Sequence, residues 1–224
     1  MKMFHPNASS GIKHIGIIPD GGRRWAKANN LTLLNSYNET RKKIAEFVII
    51  LAQLGIPEIS LFLSSRENFK RHQQEVEAFN SATSVAILET IPQMALRHKI
   101  RVNVAGDISH LHKDFIKSID QLVELTRHFE RVKLNLLISY NPADEINHAI
   151  KNTDSGEFIN KLWVNTPLDL IIRTGGANLL SNFLPLQAGY ARLYFSEKLF
   201  NDLTLNDLLQ YTIEYSALER KYGE

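Results

Sequence analysis

The chain has 224 residues, 44% hydrophobic and 22% charged, with 26 basic and 24 acidic side chains for a net charge of +2. This profile fits one globular domain and excludes disordered, collagen-like and coiled-coil chains. With no cysteine, disulfide scaffolds, thiolate metal sites and cysteine nucleophiles are excluded as well. Residues 1–12 are polar and lack the apolar core of a secretion signal, so a flexible arm on a cytoplasmic protein is expected, with residues 13–224 forming one domain. No run of about 18 apolar residues occurs, so at most peripheral membrane contact is expected. The small positive charge does not call for nucleic acid and suits an anionic small molecule.

Taken in chain order, residues 14–18 (HIGII) read as a strand ended by Pro19-Asp20-Gly21-Gly22, with a helix beginning near Arg23. Apolar spacing at Ile44, Phe47, Val48, Leu51 and Leu54 predicts a helix over 40–54. A second strand over 59–63 ends at Ser64-Ser65. A helix over 75–98 follows, with Pro92 expected to kink it. A strand over 101–105, a helix over 111–129 and a strand over 133–138 come next. Residues 152–157 read as a polar loop. A strand over 168–172 ends at Arg173-Thr174-Gly175-Gly176, a sixth strand is expected over 191–195, and a helix over 206–222 closes the chain. Alternating elements and nearly continuous apolar strands predict an α/β fold: a single domain with a mostly parallel six-stranded sheet flanked by helices.

In such a sheet, ligands bind beyond the carboxyl ends of the strands. The rule selects Asp20 to Arg24 after the first strand, Ser64 to Arg71 after the second, and Arg173 to Asn182 after the fifth. Gly21 and Gly22 allow close backbone approach, and Arg23 and Arg24 suit an anion. A bare Asp20 would repel phosphate unless a divalent cation, typically Mg²⁺, lay between them. Ser65, Asn68 and Arg71 fall three residues apart, on one face if the segment is helical. Together the loops point to a phosphate or diphosphate site. The eight histidines show no metal-ligand spacing, and no nucleotide-binding or nucleophile-elbow motif occurs.

Three segments, HIGIIPDGGRRWAK, SSRENFKRHQQEV and DLIIRTGGANLLSNFLPLQAGYARLYF, resemble the motifs of the cis-prenyltransferase (undecaprenyl diphosphate synthase) family from about His14 to Arg220. The resemblance implies prenyl transfer from an allylic diphosphate, such as dimethylallyl diphosphate, to a second prenyl diphosphate by a homodimer using Mg²⁺. It also implies roles. Asp20 would hold the metal, and Asp20 and Asn68 would be catalytic. Gly21, Gly22, Arg23, Arg24, Tyr37 and Arg71 would bind the allylic diphosphate. Trp25, Ser65 and Phe69 would contact substrate. Arg173, Ser181, Asn182 and Arg192 would lie at the second diphosphate. An apolar tunnel would hold the tail.

Several positions depart from the family pattern. Gly22, Leu33, Tyr37, Phe69 and Leu179 replace an asparagine, an arginine, a histidine, a tryptophan and an arginine, and Arg192 replaces a glutamate that helps hold Mg²⁺. The doublet Arg23-Arg24, Tyr37 and the spelling around Asn68 are more similar to the irregular, lavandulyl-type branch, which joins two allylic units head to middle. A short-chain synthase of the irregular type is therefore the leading expectation. A head-to-tail cis-polyprenyl diphosphate synthase for a carrier lipid, or a non-catalytic accessory subunit, are the alternatives. Leu63, Leu136 and Leu137 hint at a shortened tunnel.

Overall fold

A computed structural model describes residues 11–153 and 157–217. Residues 1–10 of the expected arm over 1–12, part of the loop at 152–157 and the end of the closing helix lie outside the described residues. The strands are β1 (His14–Ile18), β2 (Glu58–Phe62), β3 (Ile100–Ala105), β4 (Val132–Leu137), β5 (Leu170–Arg173) and β6 (Arg192–Phe195). They form one sheet in the order β3-β4-β2-β1-β5-β6, with every neighbouring pair parallel. Ile12 is 4% exposed and joins the main core, and Lys13 N–H donates to Asp169 Oδ2 at 2.5 Å.

The helices are α1 (Gly22–Ala28), α2 (Leu33–Gln53), α3 (Gln73–Val85), α4 (Ile91–His98), α5 (Lys113–Thr126), α6 (Pro142–Lys151) and α7 (Leu205–Ser216). Helix α2 starts well before the expected residue 40, because Thr32 caps it by accepting from Asn35 N–H. The expected helix over 75–98 is continuous but not uniform. Residues Ala86–Thr90 form a π-helical turn, and Pro92 follows it at the start of α4. Helix α6 was not expected, although its signals were present: Asn141 caps it through Ala143 N–H, and Pro142 opens it.

Side-chain alternation divides the core between the two faces of the sheet. Ile15, Ile17, Ile59, Leu61, Leu134 and Leu136 face α2 to α5, whereas Ile18, Leu137, Ile171 and Phe183 face the segment leading into and out of β5. Each fully buried aliphatic side chain contributes roughly 1.5–3 kcal/mol. Leu137 therefore lies on the face away from α2 to α5, and of the three leucines expected to shorten a tunnel Leu63 and Leu136 line the cavity.

Candidate active site

The strand order places β2, β1 and β5 side by side, so the three loops singled out from sequence emerge next to one another. Beneath them lies a cavity of about 640 Å³ between the sheet, α2 and the α3–α4 helix. Its mouth is lined by Asp20, Gly21, Gly22, Arg23 and Arg24 after β1, by Ser65, Asn68, Phe69 and Arg71 after β2, and by Arg173 and Ser181 from the β5 side; Tyr37 of α2 completes it. Deeper walls are apolar: Ile44, Leu61, Leu63, Met94, Leu134 and Leu136.

The loops after β1 and β5 are locked together. Asp20 N–H donates to Thr174 Oγ1 at 2.9 Å, and that hydroxyl donates to Asp20 O at 2.8 Å. Arg173, 7% exposed at its side chain, donates from Nη2 to Asp20 Oδ2 at 2.8 Å. Its Nη1 donates to Leu179 O at 2.7 Å and to Ser181 Oγ at 2.8 Å. Its Nε–H is buried and meets no acceptor. Arg24 donates from Nη2 to Gly175 O at 2.7 Å and lies 3.9 Å from Asp20 Oδ1. Gly175 permits that approach: it has φ +85°, and a Cβ there would stand 2.6 Å from Arg24 Nη2. Gly21, with φ +110°, forms the N-cap of α1 and so turns the chain back from β1.

On the β2 side, Ser65 and Asn68 form a capping box around the short helix Arg66–Lys70, with Ser65 N–H donating to Asn68 Oδ1 at 3.1 Å. The helix is of 3₁₀ type, whose three-residue period keeps Ser65 and Asn68 on one side. Glu75 of α3 pairs with Arg71 at 2.7 Å and with Arg23 at 3.5 Å, bringing two rim arginines together. Tyr37 and Phe69 both pack edge-on against Phe79, with ring centroids 6.1 and 6.2 Å apart, forming an aromatic collar between the charged mouth and the apolar interior. Burial, reinforced by Glu75, pushes the Tyr37 hydroxyl pKa up and keeps it protonated.

Three expected contacts are not made within the chain. Trp25 points away from the cavity and donates its indole N–H to Asp202 Oδ1 at 2.8 Å, because helical geometry puts it on the face of α1 opposite the mouth. Asn182 does not line the cavity; Ser181 and Asn182 both adopt positive φ, and only Ser181 is drawn in, by Arg173. Arg192 starts β6 beside Leu170, at the end of the strand opposite Arg173, and its guanidinium lies 5.6 Å from the Tyr194 ring centroid. Sequence reasoning missed Glu75, although it sits inside a segment quoted for its resemblance, and Arg41, which gave no signal beyond a helical position.

Among the described residues no three His, Asp or Glu side chains converge as a metal cage. The donor set fits only a metal carried mainly by substrate phosphate and water. Asp20, 38% exposed at its side chain, would supply one carboxylate oxygen, since Oδ2 is engaged by Arg173.

The chain matches the prenyltransferase family model for undecaprenyl diphosphate synthase over residues 18–223. It belongs to the cis-prenyltransferase family. It is accordingly a prenyltransferase. Curated relatives agree: an isoprenyl transferase of Treponema denticola is 35% identical, covering 96% of this chain and 99% of that protein, and one of Campylobacter jejuni is 30% identical over 95% and 99%. Among solved structures, lavandulyl diphosphate synthase of Lavandula x intermedia, in complex with dimethylallyl diphosphate, superposes with a TM-score of 0.89 at 25% identity, covering 97% of this chain and 100% of that one. A probable undecaprenyl diphosphate synthase of Campylobacter jejuni gives 0.78 at 29% identity, covering 95% and 99%. No helix among the described residues is long and apolar enough to cross a membrane.

Proposed function

We propose that this cis-prenyltransferase extends an allylic diphosphate with isopentenyl diphosphate, head to tail, and releases diphosphate. The observation carrying this reading is the convergence of Arg24, Arg71 and Arg173 at the mouth of one apolar cavity. The two curated relatives described above, both isoprenyl transferases, support head-to-tail extension over the irregular coupling expected from motif spelling.

The chemistry divides along the collar. The allylic C1–O bond breaks, the acceptor double bond supplies the electron pair for the new C–C bond, and the adduct loses a proton by way of Ser65 and Asn68 to an oxygen of the departing diphosphate. Negative charge gathers on the departing diphosphate. Arg24 and Arg71, both lining the mouth, would take it. Mg²⁺, when bound through Asp20 and phosphate oxygens, would neutralise further charge on the leaving group. Gly21, Gly22 and Arg23 complete the allylic diphosphate site, and Ser181 presents Arg173 to the second diphosphate. Asn68 and Ser65, held by their capping box, position the reacting ends. Tyr37, Phe69 and the apolar walls exclude water from the cationic carbon. A homodimer, in which β6 and α7 meet a second copy, and a cytoplasmic location belong to the same reading. The accessory-subunit alternative finds no support, since Asp20, Asn68, Arg71 and Arg173 all line one cavity.

A second reading, irregular coupling of two allylic units, is favoured by one observation: the close backbone likeness to the lavandulyl enzyme. Incubating the purified protein with Mg²⁺ separates the two. With dimethylallyl or farnesyl diphosphate, product is expected only after isopentenyl diphosphate is added, growing in five-carbon steps. A ten-carbon product from dimethylallyl diphosphate alone would overturn the head-to-tail reading in favour of the irregular one.

A further inference from the structure

Arg41 is an unusual residue for the wall of an apolar cavity. The other charged groups lining it sit at the mouth: Asp20, Arg23, Arg24 and Lys27 after β1, Arg71 and Glu75 after β2, and Arg173 at the end of β5. Arg41 instead projects from α2 one helical turn beyond Tyr37 and lines the cavity with Ile44, Ala45, Ala86 and Ile91. Its Nη1 donates to Oγ1 of Thr90, the last residue of the π-helical turn on the facing helix. Its Nε–H is buried and meets no acceptor. A guanidinium does not lose its charge in a protein, so the group remains a cation with donors to satisfy.

We propose that Arg41, tied to Thr90, is a specificity-determining residue that limits the length of prenyl tail this cavity accepts. The inference rests on the prenyl-transfer reading above. A hydrocarbon tail laid against the guanidinium strips water from it and returns no hydrogen bond. A short tail that stops at the Tyr37, Phe69 and Phe79 collar avoids this contact. A longer one must pass it to reach Met94, Leu134 and Leu136, the apolar space beyond.

The test compares the wild type with Arg41→Leu in two ways. Calorimetric titration with the thiodiphosphate analogues of dimethylallyl and farnesyl diphosphate reads binding without turnover. Product lengths are read after incubation with isopentenyl diphosphate. Arg41→Leu is expected to bind the farnesyl analogue about tenfold more tightly, to bind the dimethylallyl analogue as the wild type does, and to shift products to longer chains. Arg41→Lys, which keeps a cation, is expected to retain the wild-type preference. Should Arg41→Leu fold poorly, Arg41→Met carries the comparison. Unchanged farnesyl binding and unchanged products in a folded apolar variant would overturn the proposal, as would a lysine variant behaving like the leucine one. A wild type that fails to extend with isopentenyl diphosphate would overturn the head-to-tail reading instead, leaving the binding comparison to decide on Arg41.

Discussion

At the scale of single residues, the mouth of the cavity is held together by two acids among several bases, Glu75 on the β2 side and Asp20 between β1 and β5. Asp20 faces Arg173 at 2.8 Å and Arg24 at 3.9 Å. Removing Asp20 leaves Arg173, almost fully buried, without the carboxylate it pairs with and removes the acid proposed to carry a metal. Asp20→Ala is expected to lower kcat/KM for prenyl transfer by about a hundredfold to a thousandfold, in line with losing an electrostatic group at a site of charge development. Steady-state assays with an allylic primer and isopentenyl diphosphate check this, and a variant with wild-type kcat/KM would remove Asp20 from the mechanism. Asp20, Arg24, Asn68, Arg71 and Arg173 were all legible in the sequence, since each lies just past an apolar run that reads as a strand. Trp25 and Arg192 do not line the cavity of the single chain. A motif gives the neighbours of a residue along the chain but not the side of the helix, or the end of the strand, on which it falls.

At the scale of elements, the sheet is fitted to its coverings by residue size as well as polarity. Gly16 in β1 lies against Phe183 and Leu168; a Cβ there would stand 2.5 Å from a Phe183 ring carbon and 3.1 Å from Leu168 Cδ2. Phe183 is fully buried and cannot withdraw. Gly16→Ala is expected to destabilise the fold by about 1–3 kcal/mol, the usual cost of overpacking a well-filled core. Urea denaturation would show it as a lower midpoint with an unchanged slope. The strands were readable because parallel strands covered on both faces are almost continuously apolar. The long helix over 73–98 was readable as a helix, but its π-helical turn was not. That turn puts Thr90 against Arg41, a contact between elements that helical periodicity does not encode.

At the scale of the whole molecule, a buried acid couples α6 to the segment entering β5. Glu145 is fully buried; it accepts from Tyr140 Oη at 2.5 Å and from Val164 N–H at 2.9 Å. Burial pushes its pKa above the ordinary 4.5 despite those hydrogen bonds. The folded state therefore holds this proton more tightly than the unfolded chain does. Its contribution to stability is fully present below the ordinary carboxylate pKa and is lost as pH rises through the raised one. Glu145→Gln cannot ionise, so the excess in melting temperature of wild type over variant is expected to be largest in acid and to shrink as pH rises above 4.5. Melting curves across pH would check this; a constant difference would mean that Glu145 does not titrate between the two states.

The sequence alone determined the α/β class, the parallel sheet, the family and the three loops that carry the charged groups. These follow from local patterns: apolar runs, turn residues and the order of motifs along the chain. Only the tertiary structure decided that β2, β1 and β5 are adjacent, so that three loops distant in sequence share one mouth. It alone also separated Leu136 from Leu137, turned Trp25 outward and set Arg41 against Thr90. Each of these depends on which face of an element is covered and by what, and burial is fixed by packing between segments far apart in the chain.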